Sequence, residues 1–153
     1  MLNLNSKYLP LYENDTRYFI VTGGRGSGKS FEVGAMASTL SFQSGHKILF
    51  TRQTMTSAHL SIIPEFQEKI DLMEANDLFE VNIGEIRNKK SGTDIIFKGI
   101  KTSTGDQTAN LKSLQGVTTW ILDEAEELVD EDIFDKSNLS IRQKGVQNRI
   151  VLI

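Results

Sequence analysis

Eight residues constrain this chain more than any others. Gly23-Gly24-Arg25-Gly26-Ser27-Gly28-Lys29-Ser30 has the spacing G-x-x-x-x-G-K-[ST]. An apolar β-rich run, Tyr18–Thr22, precedes it, and its YFIVT sequence predicts a strand buried on both faces. A helix is predicted from Lys29 to about Ser44, with Val33, Met36, Ala37 and Leu40 at i, i+3, i+4 and i+7 and Gly45 as its C-cap. Backbone N–H groups converge on phosphate oxygens only through tight, partly left-handed turns, which glycine adopts at little steric cost. The helix N-terminus adds partial positive charge. Lys29 then reaches the β- and γ-phosphates, and the Ser30 hydroxyl ligates Mg2+. The expected nucleotide contacts are Gly23, Gly24, Arg25, Gly26, Ser27, Gly28, Lys29 and Ser30. A glycine-rich turn that matches by chance is the alternative, and the flanking strand and helix argue against it.

A second motif narrows the chemistry. Thr119-Trp120-Ile121-Leu122 is an apolar run ending in Asp123-Glu124, the Walker B pattern, 94 positions after Lys29. Asp123 is expected to hold Mg2+ directly or through water. Glu124 is expected to act as the general base on an attacking water. Carboxylates at the C-terminal edge of a parallel sheet sit where α/β folds bind ligands. The competing reading of Asp123, Glu124, Glu126 and Glu127 is an acidic helix start favoured by the dipole. Together the motifs imply ATP with Mg2+, and water as phosphoryl acceptor. Glu124, Lys29 and Arg25 are the candidate catalytic residues. Arg25 would serve as an arginine finger in cis, against the plainer reading of a solvated loop arginine.

The remaining pattern is alternating β and α. Lys47–Thr51 reads as a strand, followed by a helical stretch to about Met73 with Ile63, Phe66, Ile70 and Met73 on one face and Pro64 near its start. Phe79–Ile83, Glu85–Lys89 and Thr93–Gly99 read as a small antiparallel excursion turning at Ser91-Gly92. Residues 105–116 read as loop plus short helix. Asp130 is placed to N-cap a helix to about Arg142, and Arg149–Ile153 reads as a last strand. The fold class expected is α/β, a P-loop NTPase with a mainly parallel sheet.

At 153 residues the chain is expected to be one domain, 1–153, and the bare final strand suggests a domain truncated at its C-terminus. Zero Cys excludes a disulfide scaffold and any thiol or Cys-metal chemistry, and two His are too few for a His-rich metal centre. No run approaches the ~20 apolar residues of a bilayer span, and no secretory signal is present, so an intracellular protein is expected. Net charge −3 leaves no global basic field for nucleic acid, though a local patch remains open.

Other residues carry weaker readings. Lys112 is a candidate trans-acting cation, more plausibly a surface lysine. Arg52, just after the second strand, reads as an ordinary surface salt bridge before a residue facing the sheet's C-terminal edge. Arg142, Lys144 and Arg149 read as a solvated face before a basic patch. Asp130-Glu131-Asp132 reads as capping and not as a two-metal nuclease. Trp120 belongs to a buried strand and is not a base-stacking platform. Tyr12, Tyr18 and Phe19 are candidates to pack on adenine, with no choice among them.

On these residues the sequence resembles the ATPase domain of tailed-phage terminase large subunits. The likeness rests on GGRGSGKS, on ILFTRQT with the SIIPEFQEKI helix, on the excursion ending FKGI, and on LKSLQG before WILDEAEEL. The resemblance implies a RecA-like (additional-strand, catalytic-glutamate) three-layer α/β/α core. In that family the core hydrolyses ATP and drives double-stranded DNA into a preformed capsid in the host cell cytoplasm. It works as a ring, usually described as a pentamer, on the portal protein, with a small terminase subunit delivering the DNA and no membrane involved. Gly23–Ser30, the loop arginine Arg25, the metal-side Asp123 and the catalytic Glu124 carry over by motif. The resemblance also implies a coupling motif after the last strand and a nuclease domain, neither of which this sequence contains. The region of the family's trans-acting arginine offers Lys112. The expectation is nucleotide binding with weak or no hydrolysis by this chain alone. Another P-loop DNA-translocating ATPase or helicase, or a nucleotide-binding switch module, is the alternative.

Overall fold

A computed structural model describes residues 3–13, 15–52, 62–100, 115–128 and 130–153. Seven strands form one sheet among them: β1 (Tyr18–Ile20), β2 (Lys47–Arg52), β3 (Phe79–Val81), β4 (Glu85–Asn88), β5 (Asp94–Gly99), β6 (Thr119–Leu122) and β7 (Arg149–Leu152). The spatial order is β1-β7-β6-β2-β5-β4-β3. The pairs from β1 to β5 are parallel, and β3–β4 and β4–β5 are antiparallel. The parallel core and the small antiparallel excursion are both as expected.

The sheet is covered on both faces by helices α1 (Lys29–Leu40), α2 (Ile62–Leu72) and α3 (Glu131–Ser140). Strand alternation sorts the core into two clusters. Ile48, Phe50, Ile121 and Val151 face α1, α2 and a 3-10 segment at Ser6–Tyr12. Leu49, Trp120 and Ile150 face the other way, with Ile141 and the α3 residue Phe134. The result is the three-layer α/β/α arrangement. Among the described residues no helix is long and apolar enough to cross a membrane.

Three local expectations need correction. β1 pairs only with β7, so Tyr18 and Ile20 stand 50% and 72% exposed instead of being buried on both faces. α1 stops at Leu40, short of Ser44, and Gly45 lies beyond its cap, Ser41. The Ser38, Thr39 and Ser41 hydroxyls donate to the Gly34, Ala35 and Ser38 carbonyls, offering the backbone a rival to continued helix. Arg149 is buried, so it forms neither a solvated face nor a basic patch with the exposed Arg142 and Lys144.

Helix α1 is enclosed on nearly all sides, with Glu32 through Ser38 buried. Small residues make this possible. Gly34 lies against the Lys69 side chain of α2, and a Cβ there would come 2.8 Å from Lys69 Cε. Asp130 N-caps α3 as expected, accepting from Asp132 N at 3.0 Å and Ile133 N at 3.4 Å.

Candidate active site

The glycine-rich loop folds as its composition requires. Gly26 and Gly28 sit at φ +79° and +85°, a region that L side chains rarely adopt. Gly28 is the N-cap of α1 and supplies no side-chain cap, so the first N–H groups of the helix open toward the loop. A Cβ on Gly23 would meet Ser27 Oγ at 2.9 Å, so that close approach also needs glycine. The Lys29 ammonium curls over the loop and donates to the Gly23 carbonyl and, at 3.4 Å, to the Gly24 carbonyl. The Tyr8 hydroxyl donates to the Ser27 carbonyl at 2.9 Å.

The second half of the site follows from strand order. β2 and β6 are parallel neighbours, with Thr51 opposite Leu122, and Asp123 N donates to Thr51 O at 2.8 Å. Arg52 and Asp123 therefore leave the C-terminal edge side by side. Arg52 Nε donates to Asp123 Oδ2 at 3.1 Å, and its terminal nitrogen Nη2 donates to the same oxygen. Arg52 Nε also lies 3.4 Å from Glu124 Oε2. Burial works against the charge of Arg52. Its hydrogen bond to Asp123 and the charges of Asp123, Glu124 and Glu65 outweigh that, and its pKa rises above the ordinary value.

Asp123 is 4% exposed, and its Oδ1 accepts the Glu124 N–H at 3.1 Å. Glu124 itself has φ 55° and ψ 48°, left-handed for a non-glycine residue. Its side chain remains 44% exposed. The turn thus holds one carboxylate in the protein and presents the next to solvent.

One cleft of about 890 Å³ collects these parts. Gly23, Gly24, Arg25, Gly26, Ser27, Gly28, Lys29 and Ser30 line it together with Asp123 and Glu124. Arg25 is exposed on the loop and makes no ion pair among the described residues. Arg52, Glu65, Glu68 and Lys69 complete the wall. Lys69 is 1% exposed, donates to Glu65 O at 2.9 Å, and places its ammonium 4.7 Å from the centre of the Phe31 ring. Burial lowers its pKa, against the opposing charges of Glu65 and Glu68. No group of three or more His, Cys, Asp or Glu that could hold a metal is present among the described residues. A Ser30 hydroxyl with one Asp123 carboxylate is instead a hard-oxygen pair of the kind that suits Mg2+ arriving with phosphates and its own waters.

The other candidates fall elsewhere. Trp120 is buried, donates to Thr51 Oγ1 at 2.8 Å and packs on Phe134, as expected of a core residue. Phe19 packs in the core and also lines a groove beside the loop. Tyr12 is half-buried against the core and Tyr18 is exposed. A groove of about 410 Å³ beside the loop is lined by Tyr8, Pro10 and Tyr18, and shares Val21 and Thr22 with the main cleft. Lys112 lies outside the described residues.

Sequence reasoning missed three side chains. It reduced Arg52 to an ordinary salt bridge, whereas the partners of that bridge are Asp123 and Glu124. Its position at the end of a strand was the available signal, once β2 is set beside β6. Lys69 and Tyr8 carry no local signal at all.

Comparison with known proteins agrees with this geometry. The family model described as phage terminase large subunit matches residues 15–153. The terminase large subunit of Bacillus phage SPP1 is 26% identical over 122 residues, which is 75% of this chain and 28% of that protein. The large terminase of bacteriophage HK97 superposes with a TM-score of 0.73 at 15% identity, covering 99% of this chain and 33% of that one. The ATPase domain of the Thermus phage P74-26 large terminase gives a TM-score of 0.59 at 18% identity, covering 98% of this chain and 64% of that one. At these identities the two structural likenesses establish the fold, the RecA-like P-loop core. The chain spans under a third of the SPP1 protein and a third of the HK97 one. With the family model matching nearly its whole length, this chain belongs to the phage terminase large subunit family.

Proposed function

We propose that this chain is the ATP-hydrolysing motor domain of a terminase large subunit, powering movement of double-stranded DNA into a procapsid. One observation carries the reading: the phosphate loop and the Asp123-Glu124 pair line the same cleft, with Arg52 tying the two carboxylates together. The loop N–H groups and the Lys29 ammonium bind the β- and γ-phosphates. Ser30 and Asp123, which line the cleft, would hold Mg2+, which would supply charge neutralisation on the phosphates. Glu124, exposed at the turn, accepts a proton from water and aims it in line at the γ-phosphorus. Arg25 stabilises the charge that develops on the transferred group. Arg52 holds Asp123 and Glu124 in register at the sheet edge.

The further steps are inherited from the family reading. They are a homo-oligomeric ring, a pentamer, docked on the portal protein in the host cytoplasm, with a small terminase subunit presenting the DNA. ATP binding and turnover, measured with and without double-stranded DNA, test the proposal. Lys29→Ala is expected to abolish binding, and Glu124→Gln to keep binding while turnover falls at least 100-fold, the scale on which positioned acid–base groups act. Turnover that survives Glu124→Gln would turn the reading toward a nucleotide switch.

A further inference from the structure

The 3-10 segment Ser6–Tyr12 meets the phosphate loop through the bond from the Tyr8 hydroxyl to the Ser27 carbonyl, at 2.9 Å. The segment has little room to slide. The Asn5 N–H donates to Glu32 Oε1 at 2.7 Å, Glu32 is buried in the first turn of α1, and Leu11 is in the core.

The consequence follows from peptide geometry. The peptides are trans, and in a planar trans peptide the C=O and N–H point in opposite directions. A hydroxyl that holds the Ser27 carbonyl toward the N-terminal segment therefore turns the Gly28 N–H away from that segment. Gly28 lines the cleft and immediately precedes Lys29. Gly28, at φ +85°, has no Cβ to restrict that torsion, so rotation of the Ser27–Gly28 plane meets less steric resistance on its Gly28 side.

We propose that Tyr8 is a positioning residue for the phosphate loop. Its hydroxyl fixes the Ser27–Gly28 peptide so that the Gly28 N–H is presented to a polyphosphate. The effect is preorganisation, and it acts on the phosphate chain, independent of the base. This deepens the proposed function and rests on it.

The test is Tyr8→Phe in the full chain, which removes the oxygen and keeps the ring. Titration calorimetry with Mg2+ present measures binding of inorganic tripolyphosphate and of ADP, and thermal unfolding is recorded beside it. Both affinities are expected to fall by the same factor, about three- to tenfold, as one hydrogen bond implies. The unfolding midpoint should stay nearly unchanged. Unaltered affinities would overturn the positioning role and leave the nucleotide reading standing. ADP weakening while tripolyphosphate does not would also overturn it, since Tyr8 would then act on the nucleoside. A midpoint lowered by more than roughly 5 °C would assign Tyr8 to support of the fold, against the proposal. Wild-type chain that binds neither ligand would refute the nucleotide reading itself and this role with it.

Discussion

Gly34→Ala should change sign with the residue at position 69. Alanine in a helix interior is favoured over glycine by about 1 kcal/mol, so in isolation the change stabilises α1. In the folded chain the new Cβ would lie 2.8 Å from Lys69 Cε and 3.1 Å from Lys69 Cδ, roughly 0.6 Å inside ordinary contact. The Lys69 side chain must move. It then gives up its hydrogen bond to Glu65 O, about 1 kcal/mol, and its seat against Phe31, about 0.5–2 kcal/mol. Set against the gain in propensity, Gly34→Ala should destabilise the protein by about 0.5–2 kcal/mol. The three nearest atoms to the added carbon all belong to Lys69. In a Lys69→Ala background the same change should therefore stabilise by about 1 kcal/mol. A double-mutant cycle by urea unfolding, followed by the fluorescence of the single Trp120, measures both legs. An effect of Gly34→Ala with the same sign and size in both backgrounds would refute the close packing of α1 on α2 described above.

Two further outcomes can be read from the same unfolding assay. Arg52→Ala leaves the buried Asp123 without its guanidinium and should cost about 1–3 kcal/mol, with Arg52→Lys recovering only part because it cannot bring two nitrogens to one oxygen. An unchanged midpoint for Arg52→Ala would show that the pair contributes nothing to stability. His46 has its pKa lowered below the ordinary 6.5, first by burial and then by the charge of Arg149. The unfolded chain therefore binds the proton more readily than the fold does. The stability contributed by neutral His46 is present above pH 6.5 and is lost as pH falls below it toward the folded pKa. His46→Gln should flatten that acid-side slope, and identical slopes in the two proteins would refute the assignment.

The parts of the site that were legible in the sequence are those whose chemistry dictates consecutive residues. A phosphate cradle needs its glycines, Lys29 and Ser30 in one run, and the carboxylate pair follows directly on a buried strand, Thr119–Leu122. Periodicity likewise located α2, the Asp130 cap located α3, and the Ser91-Gly92 turn marked the antiparallel excursion. What stayed hidden depends on which strands are neighbours. Arg52 meets Asp123 across 71 residues because β2 lies beside β6 in one register. β1 reads as a doubly buried strand by composition, yet a strand order fixed by distant pairings leaves it at the edge. Tyr8 acts through a single oxygen on a carbonyl 19 residues away, which no pattern of residue types encodes.

Glu74 and Glu124 share one unusual backbone state, both at φ 55°. Glu74 lies just past α2, where the Ala75 N–H reaches back to the Ile70 carbonyl, a helix ending that glycine fills more easily. Glycine at either position would relieve about 1 kcal/mol of left-handed strain. Under selection for thermostability alone both sites should drift toward glycine, position 124 less strongly because its carboxylate also meets Arg52. On the proposed function they diverge under selection for turnover, since only position 124 would then need a carboxylate on that strained turn. The contrast makes Glu74 an internal reference against which the stability withheld at the active site can be weighed.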